Sequence, residues 1–192
     1  MPDKIQLGRY RLQSLLGSGA YADVYKAIDT VLERQVVIKV LKPTLIADEE
    51  AFHRFMREAK VLANLVHPHI AWVWDVGQEE DRYYLVIRYV DGISLDKFLA
   101  QRKVLPWAEA FSIFRQTGEA LTFAHQKGLV HRDVKPQNLL VSTNAEAVLT
   151  DFGLVRAAQA SSTSTRADAI VGTPQYIPPE IWQGAQASPA TD

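Results

Sequence analysis

The hydrophobic period changes along this chain, and that change limits the fold more than any other feature. Tyr10-Arg11-Leu12-Gln13, Val24-Tyr25-Lys26-Ala27-Ile28 and Val36-Val37-Ile38-Lys39-Val40 are β-branched or alternating, the pattern of short strands. Gly17-Ser18-Gly19 marks a turn between the first two. From Asp48 to Val66 the period becomes helical, with Phe52, Phe55/Met56, Ala59, Leu62/Ala63 and Val66 recurring every three or four residues until His67-Pro68 stops the run. Ile70–Val76 and Tyr83–Tyr89 read as strands around a turn at Gly77-Gln78-Glu79-Glu80-Asp81. Beyond Asp91-Gly92 the pattern is mainly helical. Ser94 is placed to cap Leu95–Ala100, and Pro106 opens a longer helix through Phe111, Phe114, Gly118, Leu121 and His125, closed by Gly128. Leu139-Leu140-Val141 and Ala147-Val148-Leu149-Thr150 predict one more hairpin, and the Ser/Thr-rich stretch Ala157–Arg166 predicts a loop. A strand-rich first part and a helix-rich second part predict an α+β chain with two subdomains divided near Asp91-Gly92.

Composition removes several functional classes. The 192 residues carry 21 Lys+Arg against 22 Asp+Glu, so there is no electrostatic case for nucleic acid or an anionic membrane as main partner. With no cysteine, disulfides, thiolate catalysis and thiolate zinc sites are excluded. No run approaches the about 18 consecutive apolar residues needed to span a bilayer. The first residues, Met1-Pro2-Asp3-Lys4-Ile5-Gln6, are too polar for a signal peptide, which predicts a cytoplasmic segment without membrane contact. An anchor downstream of Asp192 stays open.

Three groups of residues carry chemistry. Leu16-Gly17-Ser18-Gly19 places glycines where backbone can approach phosphate oxygens without a Cβ in the way. A dinucleotide fold would continue from such a loop into a helix; here a strand pattern follows, which favours a hairpin lid over a nucleotide. On its own this loop also fits an ordinary hairpin. Lys39 lies inside an apolar strand, where a desolvated ammonium needs an anionic partner, and Glu58 in the following helix can supply it. His131-Arg132-Asp133-Val134-Lys135-Pro136-Gln137-Asn138, followed by Asp151-Phe152-Gly153, concentrates ionisable groups between apolar segments. Phosphoryl transfer needs a carboxylate to orient the attacking hydroxyl and accept its proton, oxygen ligands for Mg²⁺, and cations on the transferred charge. Asp133, then Asn138 with Asp151, then Lys39 with Lys135 fill those roles in order.

With these motifs and Gly172-Thr173-Pro174-Gln175-Tyr176-Ile177-Pro178-Pro179-Glu180, the chain from about Tyr10 to Asp192 resembles a eukaryotic-like (Hanks-type) Ser/Thr protein kinase catalytic domain of the bacterial type. The resemblance implies a bilobal fold, with a β-rich lobe at 10–90 (a five-stranded sheet plus one helix) and a partial helical lobe at 91–192 carrying the catalytic and activation loops. It implies ATP and Mg²⁺ as cofactors and a protein substrate with a Ser or Thr acceptor, the latter because Lys135 follows the catalytic Asp by two residues. Asp133 is then the catalytic base, Asn138 and Asp151 hold Mg²⁺, and Lys39, paired with Glu58, positions the α- and β-phosphates. Leu16, Gly17, Ser18 and Gly19 cover the nucleotide, with Ile87 as gatekeeper and Arg88 and Val90 as hinge. Val24, Val37 and Leu140 sandwich the adenine, although core packing accounts for those apolar positions equally well. Arg132 is the expected receiver of a phosphorylated loop residue, for which Thr163 and Thr165 are the candidates.

The sequence departs from the family pattern at Ala22, where a third glycine is usual, at Val37, usually alanine, at Arg88, often acidic, and at Pro178, usually alanine. Asp192 matches the family residue that fastens the catalytic loop at the start of a large helix. The resemblance therefore implies a C-terminal lobe cut short, and with it a second reading: a catalytically silent nucleotide-binding or interaction module. The protein substrate and the oligomeric state are not legible in the sequence.

Overall fold

In the computed structural model, which describes residues 6–152 and 174–192, the chain divides into two units. Met1–Asn64 with Trp72–Tyr89 forms one, and Leu65–Ala71 with Val90–Asp192 the other.

The first unit is an antiparallel sheet of β1 (Gln6–Leu7), β2 (Tyr10–Ser18), β3 (Ala22–Asp29), β4 (Arg34–Leu41), β5 (Val73–Glu79) and β6 (Arg82–Arg88). Its order is β1-β2-β3-β4-β6-β5. Six strands replace the five expected, because Gln6–Leu7 folds back and pairs with Arg11 and Tyr10 of β2. One face buries Leu7, Tyr10, Ala27, Val36, Ile38, Tyr84 and Val86 against each other. The β5–β6 hairpin turns later than predicted, at Glu80-Asp81, and Gly77 belongs to β5 opposite Tyr84. A Cβ on Gly77 would run into the Tyr84 ring, so glycine there serves close packing rather than a turn. After a short helix α1 (Pro43–Ile46), α2 (Glu49–Leu62) begins at Asp48, whose Oδ1 accepts the Ala51 amide at 2.9 Å, with Glu49 and Glu50 favourably in its first turn. Ala51, Phe55, Ala59 and Leu62 form its buried stripe. The helix stops at Leu62 rather than Val66, and the next residues, Leu65–Ala71, join the other unit.

The second unit therefore takes an early segment of chain as well as the residues after Tyr89, so the expected single division near residue 91 is incomplete. Ile70 makes a parallel bridge to Leu149, with Leu149 N–H donating to His69 O and Ala71 N–H to Leu149 O, each at 2.9 Å. A three-stranded sheet runs β7 (Gly92–Ser94), β8 (Leu139–Ser142), β9 (Ala147–Leu149). Helix α3 (Leu95–Arg102) starts after Ser94, which occupies the cap position without a side-chain cap bond, contrary to expectation. Helix α4 (Trp107–Gln126) begins after Pro106 and ends before Gly128, whose φ of +75° reverses the chain. It buries Ile113, Gln116, Thr117, Ala120 and Ala124, and Gln116 Oε1 accepts the Ala147 amide at 2.6 Å, tying α4 to β9.

Candidate active site

In the first unit, strand register assembles one group of predicted residues on one sheet face. Val24 lies opposite Lys39, Lys39 opposite Leu85, and Val37 opposite Ile87. Paired residues of an antiparallel ladder share a face, and alternation along each strand puts this set on the side away from the Val36–Ile38 core. Lys39 is half-buried between those apolar neighbours, and Glu58 is half-buried on α2, one residue before the buried Ala59. Gly17 pairs with Val24 and Ser18 with Asp23, while the register slips between Leu15 and Gly17, leaving Leu16 in the irregularity with its side chain exposed. Gly19 N–H donates to Ala22 O at 2.9 Å, closing the turn. Arg88 ends β6 with its guanidinium 4.5 Å from the Trp72 ring centroid and its N–H committed to Trp72 O at 3.0 Å.

In the second unit the loop from His131 to Asn138 is built around buried polar groups. His131 has no solvent exposure, and its ring lies 4.6 Å, centroid to centroid, from that of Phe152. The Asp133 N–H points at Nδ1 at 3.2 Å, so Nδ1 must accept. The proton therefore sits on Nε2, which donates to Thr150 O at 2.9 Å. Burial pushes the His131 pKa below its ordinary value, outweighing the Thr150 carbonyl and the nearby carboxylates of Asp192, Asp133 and Asp151. The imidazole is thus a neutral structural pin.

The Asp192 carboxylate, fully buried, accepts the His131 amide at 2.6 Å and the Arg132 amide at 2.7 Å, and lies 2.8 Å from His125 Nε2. Sequence reasoning placed Asp192 beneath this loop; it gave His125 no role, and nothing in the local pattern of α4 marks that histidine as the third partner. Arg132 and Asp151 adopt left-handed backbone, φ +69° and +57°, a conformation that costs a non-glycine residue about 1–2 kcal/mol. At Arg132 the Asp192 bond holds that conformation in place.

Asn138 joins the loop to the segment that follows β9 and leads into Asp151. Its Nδ2 donates to Asp133 O at 2.8 Å and to Asp133 Oδ2 at 2.9 Å, while its carbonyl accepts the Thr150 amide at 2.9 Å. Lys135 Nζ lies 2.8 Å from Asp133 Oδ2. One carboxylate oxygen is thus held by an amide and an ammonium. Both backbone groups of Thr150 are held too, by Asn138 and His131, so the residue after it, Asp151, is placed by the same loop. Leu140, in β8, pairs with Ser94 and Val148, and Val90 is buried at the start of this unit. The structure therefore brings Asp133, Lys135 and Asn138 into direct contact and sets Asp151 beside them. Thr163, Thr165 and Gly153 lie outside the described residues.

Comparison with known proteins gives the family of the chain. The protein kinase domain family model matches residues 10–192. The chain is 43 % identical over 190 residues to the serine/threonine-protein kinase PknA of Mycobacterium tuberculosis, and 38 % identical over 185 residues to PrkC of Bacillus subtilis. Each alignment covers 96 % of this chain, but only 44 % of PknA and 28 % of PrkC, so the chain spans less than half the length of these curated relatives. Among solved structures, the Mycobacterium tuberculosis PknI kinase domain superposes with a TM-score of 0.76 at 32 % identity, covering 100 % of this chain and 72 % of that one. The chain has the protein kinase fold and belongs to the protein kinase domain family.

Proposed function

We propose that this chain is a catalytic segment of an ATP- and Mg²⁺-dependent protein kinase that transfers the γ-phosphoryl group to Ser or Thr of a protein substrate. The observation that carries this reading is the Asp133 carboxylate, held by Asn138 Nδ2 and Lys135 Nζ. A carboxylate fixed in this way can align an acceptor hydroxyl and take its proton, and Lys135 can turn from Asp133 to the transferred phosphoryl charge. Among the described residues no cluster of three or more His, Cys, Asp or Glu is placed to hold a metal ion. Mg²⁺ fits the donors that are present, because it is usually held by one or two protein oxygens together with phosphate and water. Asn138, its Nδ2 committed to Asp133, would offer Oδ1 to Mg²⁺, and Asp151 would supply a carboxylate. When bound, Mg²⁺ would neutralise charge on the β- and γ-phosphates. On the first unit, Lys39 supported by Glu58 would hold the α- and β-phosphates, the Leu16–Gly19 turn would cover them, and Val24, Val37 and Ile87 would meet the base. Arg88 completes that set by resemblance, and Leu140 and Val90 of the second unit are assigned to the nucleotide by resemblance alone.

The relatives are named serine/threonine-protein kinases, which supports turnover over a silent binding module. No helix among the described residues is long and apolar enough to cross a membrane. The test is transfer of radiolabelled γ-phosphate from ATP to protein serine or threonine. Wild type should label in a Mg²⁺-dependent manner, and Asp133→Asn should lose at least about 100-fold in kcat. Equal labelling by the two proteins would reject the assignment of Asp133.

A further inference from the structure

The glycine-rich turn carries a set of contacts that phosphate binding as described above does not use. Ser18 Oγ donates to Asp23 Oδ1 at 2.5 Å and accepts from Lys42 Nζ at 3.2 Å, and Lys42 Nζ also lies 3.4 Å from Asp23 Oδ1. The three residues come from the end of β2, the start of β3 and the position just after β4. Ser18 is register-paired with Asp23, one step from the Gly17–Val24 pair. Alternation therefore puts Ser18 and Asp23 on the sheet face opposite Val24 and Lys39. On the backbone, the Lys42 N–H donates to Tyr21 O at 2.8 Å and the Gly19 N–H to Ala22 O at 2.9 Å. The Ser18 hydroxyl, followed by the Lys42 charge, holds the Asp23 carboxyl below its ordinary range, so the ion pair persists through neutral pH.

We infer that Asp23 and Lys42 are positioning residues for the nucleotide's phosphates, clamping the Gly17–Tyr21 turn through Ser18 from the face opposite Lys39. The inference rests on the kinase reading of the turn. A loop with two glycines has little stiffness of its own, and its amides bind phosphate well only when they already point at it. The Asp23 and Lys42 side chains supply that stiffness through the Ser18 hydroxyl, which leaves the amides of the turn for the ligand. Each contact is exposed and individually weak, so the effect belongs to the closed set of three.

The test measures binding of Mg·ADP and of adenosine to wild type, Asp23→Ala, Lys42→Met, the double variant and Lys42→Arg. The variants Asp23→Ala and Lys42→Met should each weaken Mg·ADP about three- to fivefold, the range of one or two exposed charged contacts, and leave adenosine unchanged. The double variant should be no worse than either single one, Lys42→Arg should restore wild-type affinity, and the Gly19 amide should exchange faster in both single variants. Equal weakening of both ligands, additive single effects or unchanged ADP affinity would each overturn the clamp while leaving the kinase reading intact. A wild-type chain that binds no Mg·ADP overturns both.

Discussion

Replacing Asp192 by alanine removes the acceptor shared by the His131 and Arg132 amides and by His125 Nε2. Hydrogen bonds to a charged acceptor contribute about 1.5–3 kcal/mol each, and the Asp192 side chain has no solvent exposure to let water substitute freely. Two amides without partners, partly relieved by water entering the vacated space, give a loss of about 3–5 kcal/mol. That is a large fraction of the about 5–15 kcal/mol typical of a domain. Asp192→Asn keeps the shape and one carbonyl acceptor but turns an NH₂ toward the second amide, so about half the loss is expected. Urea unfolding should show the midpoint of Asp192→Ala falling at unchanged m-value, with Asn between alanine and wild type. Amide exchange adds a local readout, since protection at His131 and Arg132 should fall before that of the β8–β9 pairs. An alanine variant with wild-type midpoint and wild-type protection at those two amides would refute the reasoning. Repeating the cycle on a His125→Ala background apportions the histidine's share.

Lys39→Met should lower kcat about 100-fold or more while changing the ATP dissociation constant far less, because the ammonium acts mainly on charge that develops in transfer; stopped-flow binding beside steady-state kinetics checks the split. Thr163→Ala/Thr165→Ala should reduce activity if phosphate on those residues docks on Arg132, and mass spectrometry of active enzyme should find them modified; an unmodified, fully active wild type would count against it. His131 makes stability depend on acid. Its folded pKa lies below the unfolded value of 6.5, so as pH falls through that value the unfolded chain takes up the proton first. Its contribution should be complete above about pH 6.5 and shrink below it, seen as a falling melting temperature that flattens in His131→Phe.

The strands and helices were legible because their apolar periods are strong, as in the stripe Ala51, Phe55, Ala59, Leu62 of α2. What was not legible depended on contacts distant in sequence. Nothing local marks Gln6–Leu7 as a strand, since its pairing exists only through β2, and nothing local sends Leu65–Ala71 to the second unit, since that follows from the bonds of His69 and Ala71 to Leu149. Gly77 looked like a turn residue because glycine permits turns; the Tyr84 ring against it supplies another reason for the same residue. At the candidate site, residue types and order singled out Asp133, Lys135 and Asn138, which the structure brings into contact, whereas the neutral tautomer of His131 and the part of His125 require atoms from Thr150, α4 and Asp192 to be seen together.

The same contacts suggest why this loop is held by polar rather than apolar groups. A buried ion pair can often be replaced by apolar residues at little loss of stability when both partners go, but two of the partners of Asp192 are backbone amides that no substitution removes. An apolar side chain has no acceptor for the Arg132 amide, and without one the left-handed backbone at Arg132 would relax toward the ordinary region, about 1–2 kcal/mol lower. That relaxation rotates the peptide plane leading into Asp133. The direction of the Asp133 carboxylate, on which proton acceptance would depend in the proposed reaction, is then no longer set by Asn138 and Lys135 alone. The buried network is therefore the means by which a strained backbone is kept in one conformation, and an apolar residue at position 192, which leaves the His131 and Arg132 amides without their acceptor, should lower the melting temperature and turnover together.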